Sequence, residues 1–115
     1  MKKVVKFGGS SLASAKQFKK VGDIIRADKS RRYVVPSAPG KRNKNDTKVT
    51  DMLYACYEAA STGASYGKLL SAIHERYEQI IDALALTLTL DYQFKTIAAN
   101  FISNNVHNYS PSRGE

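Results

Sequence analysis

The first 36 residues carry a pattern that admits few folds, a strand followed by a glycine turn, a helix and a second strand. A strand-like run over residues 2–7, half of it apolar, is broken by the pair Gly8 and Gly9, and Ser14 is a suitable N-cap for a helix. Apolar residues then recur at helical spacing, and a second apolar run, residues 32–35, is closed by a proline. Strands joined in this way by a helix are parallel. The pattern therefore predicts an α/β fold.

The remainder of the sequence is helical in pattern. After a polar loop, apolar spacing predicts helices over residues 49–63, 66–84 and 91–106. The alternating run at residues 84–90 resembles a strand, but we predict a helix end followed by a connector. Two strands are too little sheet for a complete α/β layer. We therefore expect residues 1–115 to be one incomplete domain, in which the apolar stripes of the last two helices are only partly covered.

Basic side chains outnumber acidic ones, 18 Lys and Arg against 10 Asp and Glu, for a formal net charge of +8. Fourteen of the 18 lie within the first 48 residues. Such an excess is typical of a protein that binds the phosphates of a nucleotide or nucleic acid. It is equally compatible with basic side chains that are merely exposed to solvent. The basic residues are spread over several elements without interleaved aromatic side chains, so we favour a solvated surface and predict no nucleic-acid partner.

The single cysteine, Cys56, excludes an internal disulfide and a cysteine-based zinc cluster. It falls on an apolar helical stripe and is predicted to lie in the core, whereas His74 is predicted at the surface. No stretch approaches the roughly 18 apolar residues that span a bilayer. We accordingly expect a cytoplasmic protein with no membrane partner.

Two polar turns follow the two predicted strands. The first has Lys6 at the strand end, then Gly8, Gly9 and Ser10; the second, SAPGK, begins at Ser37. Glycine permits a left-handed backbone or a close approach, and the amides of a following helix favour an anion. Neither a P-loop nor a dinucleotide-binding glycine motif is present. Because ligands of open parallel sheets bind beyond the carboxyl ends of the strands, both turns are expected to open onto one crevice. These residues alone leave a phosphate site and a structural tight turn equally open.

The same residues resemble a known family. KFGGSSLAS is similar to the opening KFGGTS of aspartate kinases, which belong to the amino-acid kinase superfamily. VVPSAPGK followed by VTDMLY resembles a second motif of that family, and the terminal SRGE resembles its short S-x-G-E motif. The three motifs occur in the family's order, from Val4 to Glu115.

This resemblance implies a mainly parallel sheet sandwiched between helices, with residues 1–115 forming the N-terminal part of the catalytic domain. The nucleotide-binding remainder and the regulatory domains would lie downstream. It implies ATP-dependent phosphorylation of the β-carboxylate of L-aspartate, the first step towards lysine, threonine and methionine, with Mg²⁺ accompanying ATP. The implied roles are catalysis by Lys6, nucleotide binding by Lys6, Gly8, Gly9 and Ser10, and substrate binding by Ser37, Thr50 and Glu115, with no metal ligand from the protein.

Several alternatives stay open at this point. RNKNDTKV, ahead of Thr50, is longer than the corresponding segment of many relatives, so the register of Thr50 is uncertain. Another amino-acid kinase with a different acceptor, or a small basic nucleic-acid-binding module, is the alternative function. The full-length enzyme is expected to be a homo-oligomer, and the isolated 115 residues are expected to be inactive.

Overall fold

The computed structural model describes residues 1–102, which form two strands and four α-helices. The order strand, helix, strand, helix, helix, helix agrees with the sequence prediction. The elements are β1 (Lys3–Phe7), α1 (Ala15–Ala27), β2 (Arg31–Pro36), α2 (Val49–Ser61), α3 (Gly67–Ala83) and α4 (Asp91–Ile102).

The two strands pair in parallel, which confirms the prediction from the strand–helix–strand pattern. Val5 lies opposite Val34, and Phe7 lies opposite Pro36 at the carboxyl end of the pair. Side chains alternate between the faces of a strand, and Phe7 is buried together with Leu12 and Val21 on the α1 side. The sheet is thus anchored to α1 by one apolar face.

The opposite face of the sheet is open in the part of the chain that the structure describes. Val4 is 70% exposed, Tyr33 52% and Val35 46%. β-Branched and aromatic side chains are typical of strands that another layer covers. The helical part of this chain does not cover them.

The three later helices pack on one another and form a separate core. Val49, Cys56 and Ile73 are almost fully buried there, and Cys56 confirms its predicted place in the core. Burial raises the pKa of the Cys56 thiol to about 11, because the thiolate would lose its hydration. The apolar stripe of α3 is only partly covered, as expected, because Leu69 is 38% exposed although Ile80 is buried. The stripe of α4, represented by Phe94 at 8% exposure, is buried, which corrects the expectation for that helix.

The connector after α3 is irregular, as predicted, and α4 begins at Asp91. Ala85 has a φ of 55°, and no other residue except glycine has a positive φ among residues 1–102. The Ala85 amide donates to Asp82 O and the Leu86 amide to Ile81 O, each at 3.0 Å. This pair of bonds is the Schellman ending of a helix, in which glycine is usual at the left-handed position.

We predict that Ala85→Gly stabilises the chain, because it removes the contact between Cβ and the carbonyl oxygen in the left-handed region. The expected gain is about 1 kcal/mol in the free energy of unfolding. Gly63, with a φ of 77° at the same position after α2, is the matched control. Gly63→Ala should lose a similar amount. Urea unfolding followed by circular dichroism measures both, and a loss of stability in Ala85→Gly would contradict this interpretation.

Within residues 1–102, no helix is long and apolar enough to cross a membrane.

Candidate active site

The two polar turns lie against each other at the carboxyl ends of the strands. The Ser37 amide donates to Phe7 O at 3.1 Å, and the Gly40 amide donates to Gly9 O at 2.7 Å. These contacts join two turns that are about thirty residues apart in the sequence. The two turns are therefore neighbours at the same edge of the sheet, as expected.

Gly9 and Gly40 are glycines because their backbones touch. A Cβ on Gly9 would lie 2.9 Å from Ala38 O, and a Cβ on Gly40 would lie 2.6 Å from the Gly9 carbonyl carbon. Real Cβ atoms do not approach backbone atoms so closely. Neither glycine has a positive φ. Close approach, and not a left-handed backbone, therefore accounts for glycine at both positions.

Gly8 differs from these two glycines. Its φ is −74° and its ψ is 171°, values that any residue adopts. A Cβ on Gly8 would meet no atom within 4 Å. Nothing in residues 1–102 therefore requires glycine here, and the space beside Gly8 is open.

The helix that follows the first turn does not begin at the glycine pair. A short 3-10 turn, Gly9–Leu12, comes first, and α1 starts at Ala15. The Ser14 hydroxyl accepts from the Gln17 amide at 3.5 Å, which confirms Ser14 as the N-cap. The first amides of α1 are consequently several residues beyond Gly8, and they do not follow the glycine pair directly as an anion site there would require.

Lys6 lies on the open side of the sheet. It faces away from Val5 and Phe7, which pack towards α1, because neighbouring side chains of a strand alternate. The Lys6 side chain is exposed and forms no ion pair with any carboxylate of residues 1–102. Ser10 is also exposed. An ammonium and a hydroxyl are thus available to a ligand beside the first turn.

The second turn leads directly into α2. Ser37 is half-buried, and the Val49 amide donates to Pro39 O at 2.9 Å. Thr50, in the first turn of α2, is half-buried as well. The structure therefore brings Ser37 and Thr50 to the same loop and helix junction, next to the first turn. Glu115 lies outside the described residues, and its role stays a prediction.

Comparisons with known proteins agree with this geometry. No family model matches the chain. It is 52% identical over 84 residues, 73% of its length, to Aspartokinase 3 of Bacillus subtilis (strain 168). The crystal structure of Clostridium acetobutylicum aspartate kinase superposes on 96% of this chain with a TM-score of 0.90 and 40% identity. The chain belongs to the aspartate kinase family. These matches do not favour a nucleic-acid-binding module.

The chain spans only part of these relatives, 18% of the Bacillus protein and 26% of the clostridial chain. The segment therefore corresponds to a part of the aspartate kinase fold. The α/β fold class, inferred from the first two strands, is confirmed by the match.

The loop before Thr50 is held by charged side chains that were not singled out from the sequence. Asp46 accepts from the Arg42 side chain at 2.6 and 2.9 Å and from the Arg42 amide at 2.9 Å. Arg76 of α3 reaches the same carboxylate, with Nη2 and Oδ2 3.6 Å apart. The Arg42 hydrogen bonds hold the pKa of Asp46 well below its usual range, aided by the charge of Arg76. The sequence does contain one signal for Arg76. It lies three residues after Ile73 and four before Ile80, so a charged side chain falls on the apolar face of the helix.

His74 was expected at the surface of this aspartate kinase segment, and it is half-buried instead. Its side chain is 31% exposed and stacks on Phe94 with the ring centroids 4.3 Å apart. His74 Nε2 lies 3.1 Å from Asp91 Oδ1 and 3.4 Å from Glu78 Oε1. The three side chains could hold a metal ion by distance alone, but a contact between α3 and α4 accounts for them without one.

Proposed function

We propose that the protein containing this segment is an aspartate kinase that transfers the γ-phosphoryl group of ATP to the β-carboxylate of L-aspartate. The observation that carries the proposal is the contact between the two glycine turns, with a lysine beside them that forms no ion pair within residues 1–102. The identity to Aspartokinase 3 supports the acceptor. The proposed product is 4-phospho-L-aspartate.

In this proposal the first turn binds the phosphates of ATP. The Lys6 ammonium would contact the transferring phosphoryl group and offset the charge that develops on it, which is the main task in phosphoryl transfer. The open space at Gly8 allows a phosphate to approach the backbone, and the exposed Ser10 hydroxyl can donate to it. Gly9 has a different role, because it lets the second turn pack against the first.

The second turn would bind the acceptor. Ser37 and Thr50 supply hydroxyl groups for the aspartate, and Glu115 would pair with its α-ammonium. Mg²⁺ would enter with ATP and neutralise phosphate charge. The first turn offers ammonium, hydroxyl and amide groups, which suit phosphate oxygens and not a metal ion.

The wider setting is part of the same proposal. The enzyme would act in the cytoplasm, as a homo-oligomer, in the first step of lysine, threonine and methionine biosynthesis. The clostridial relative is described as an allosteric enzyme of amino-acid production, which supports a biosynthetic setting. The free, buried Cys56 suits a reducing compartment.

Gly8→Ala tests the phosphate site, because a methyl group there has room in the structure but would meet the ligand. In the full-length protein we expect unchanged thermal stability and a KM for ATP raised about tenfold, about 1.4 kcal/mol of lost binding. Gly67→Ala, at another glycine with open space around it, is the matched control and should change neither. A Gly8→Ala variant with unchanged ATP kinetics would remove the first turn from nucleotide binding.

A further inference from the structure

Arg76 is the buried charged side chain among residues 1–102, with only 3% of its surface exposed. Burial of a guanidinium is costly unless it is paired and hydrogen-bonded. Loss of hydration lowers the pKa of Arg76, and the nearby Asp46 carboxylate acts in the opposite direction. The buried guanidinium is therefore stabilised by the groups that it contacts.

Those contacts are the two ends of the loop between the second turn and α2. Arg76 Nη1 donates to Thr47 O at 2.8 Å, and Nη2 donates to Gly40 O. The planar fork of arginine suits two acceptors at once, whereas a lysine ammonium is a point charge. A single side chain of α3 thus holds both ends of the loop.

The Gly40 contact leads directly to the candidate active site. Gly40 accepts from Arg76 through its carbonyl and donates to Gly9 O through its amide. Two hydrogen bonds therefore connect α3 with the first turn. A Cβ at Gly9 or Gly40 would clash, so the backbones of the two turns are already in close contact. A displaced Gly40 would therefore alter the spacing of the turns.

We propose that Arg76 is a positioning residue for phosphoryl transfer. It holds Gly40 against Gly9, so that the acceptor side of the site stays aligned with the phosphate side. This inference rests on the proposed kinase function. Arg76 itself touches neither substrate, and acts through the backbone of the second turn.

Arg42 provides an internal control, because it shares Asp46 with Arg76 but does not hydrogen-bond Gly40. It is 43% exposed and binds Asp46 Oδ2 at 2.6 Å. If charge around Asp46 were all that mattered, loss of Arg42 would affect the turns as much as loss of Arg76.

The kinetic test uses Arg76→Ala, Arg76→Lys and Arg42→Ala in the full-length protein. Arg76→Ala should lower kcat about tenfold to a hundredfold, because a small misplacement of reacting groups is costly, while the KM for ATP changes less than about twofold. Arg76→Lys should stay close to Arg76→Ala, and Arg42→Ala should stay close to wild type. Arg76 lines a cavity of about 280 Å³ with Arg42 and Ile80. Millimolar guanidinium ion should therefore enter Arg76→Ala and restore part of kcat.

Ile73→Val, one turn away on the same helix, separates positioning from general loss of stability. It lowers stability without removing a hydrogen bond to the loop, at a cost of about 1 kcal/mol. Its kcat should equal that of wild type at a temperature where it is fully folded. An equal loss of kcat in Ile73→Val, or a wild-type kcat in Arg76→Ala, would overturn the inference.

Hydrogen exchange provides a readout that does not depend on kinase activity. The Gly40 amide should exchange at least about tenfold faster in Arg76→Ala than in wild type, and at the wild-type rate in Arg42→Ala. Unchanged exchange in Arg76→Ala would overturn the positioning role. Faster exchange in a protein whose wild type does not phosphorylate aspartate would instead reject the proposed function.

Discussion

Lys6→Ala is expected to reduce the kcat of the full-length enzyme by about a hundredfold to a thousandfold. A preorganised charge directed at the transition state contributes about 3 to 4 kcal/mol. Lys6 lies at the end of β1 on the open face of the sheet and makes no ion pair within residues 1–102. The fold should therefore survive its removal, and the loss should appear in turnover and not in stability.

Steady-state kinetics and circular dichroism on the same preparations measure this effect. Lys2→Ala is the matched control, because it removes an equal charge near β1 but away from the turn. Lys6→Arg retains the charge and should recover only part of the rate, since a guanidinium differs in shape from an ammonium. A kcat for Lys6→Ala within about threefold of wild type would exclude Lys6 from the mechanism.

The isolated 115 residues are expected to have no measurable aspartate kinase activity and to bind ATP weakly or not at all. They span only about a quarter of the clostridial aspartate kinase chain. The turn that we propose to bind the phosphates is present, but we expect the groups that hold adenosine to lie elsewhere in the enzyme. In addition, one sheet face exposes Val4 at 70% and Tyr33 at 52%, and exposed apolar surface of this kind promotes association.

The test combines a coupled ADP-release assay with light scattering on the purified chain. Tyr33→Thr and Val4→Thr together should reduce self-association without restoring activity, because they change the exposed face and leave the two turns intact. Tyr54→Thr, at a 48% exposed tyrosine of α2, is the control and should leave association unchanged. A monomer that turns over aspartate at the rate of an intact enzyme would show that the 115 residues are a complete catalyst.

The sequence by itself determined the local structure and the candidate phosphate site. Apolar spacing and turn residues are properties of neighbouring positions, so they predicted β1, α1, β2 and the three later helices. The parallel pairing followed from the helical crossover between the two strands, without any knowledge of contacts. Lys6, Gly8 and Ser10 could be singled out for the same reason, since a lysine, a glycine pair and hydroxyl residues lie together in one short stretch.

Only the tertiary structure decided how these local elements fit together. Gly9 and Gly40 are close because two turns from distant parts of the chain touch, and no pattern within either turn reveals that contact. The stripe of α4 is buried because the later helices pack on one another, while Leu69 of α3 and one face of the sheet stay exposed among residues 1–102.

The contacts of Arg76 could not be predicted from the sequence. Its hydrogen-bonded partners are the carbonyl groups of Gly40 and Thr47. Every residue has a carbonyl group, so such a contact leaves no trace in the side chains that are contacted. Only the path of the backbone brings those two carbonyls to one buried guanidinium, and that path is fixed by the packing of the whole fold.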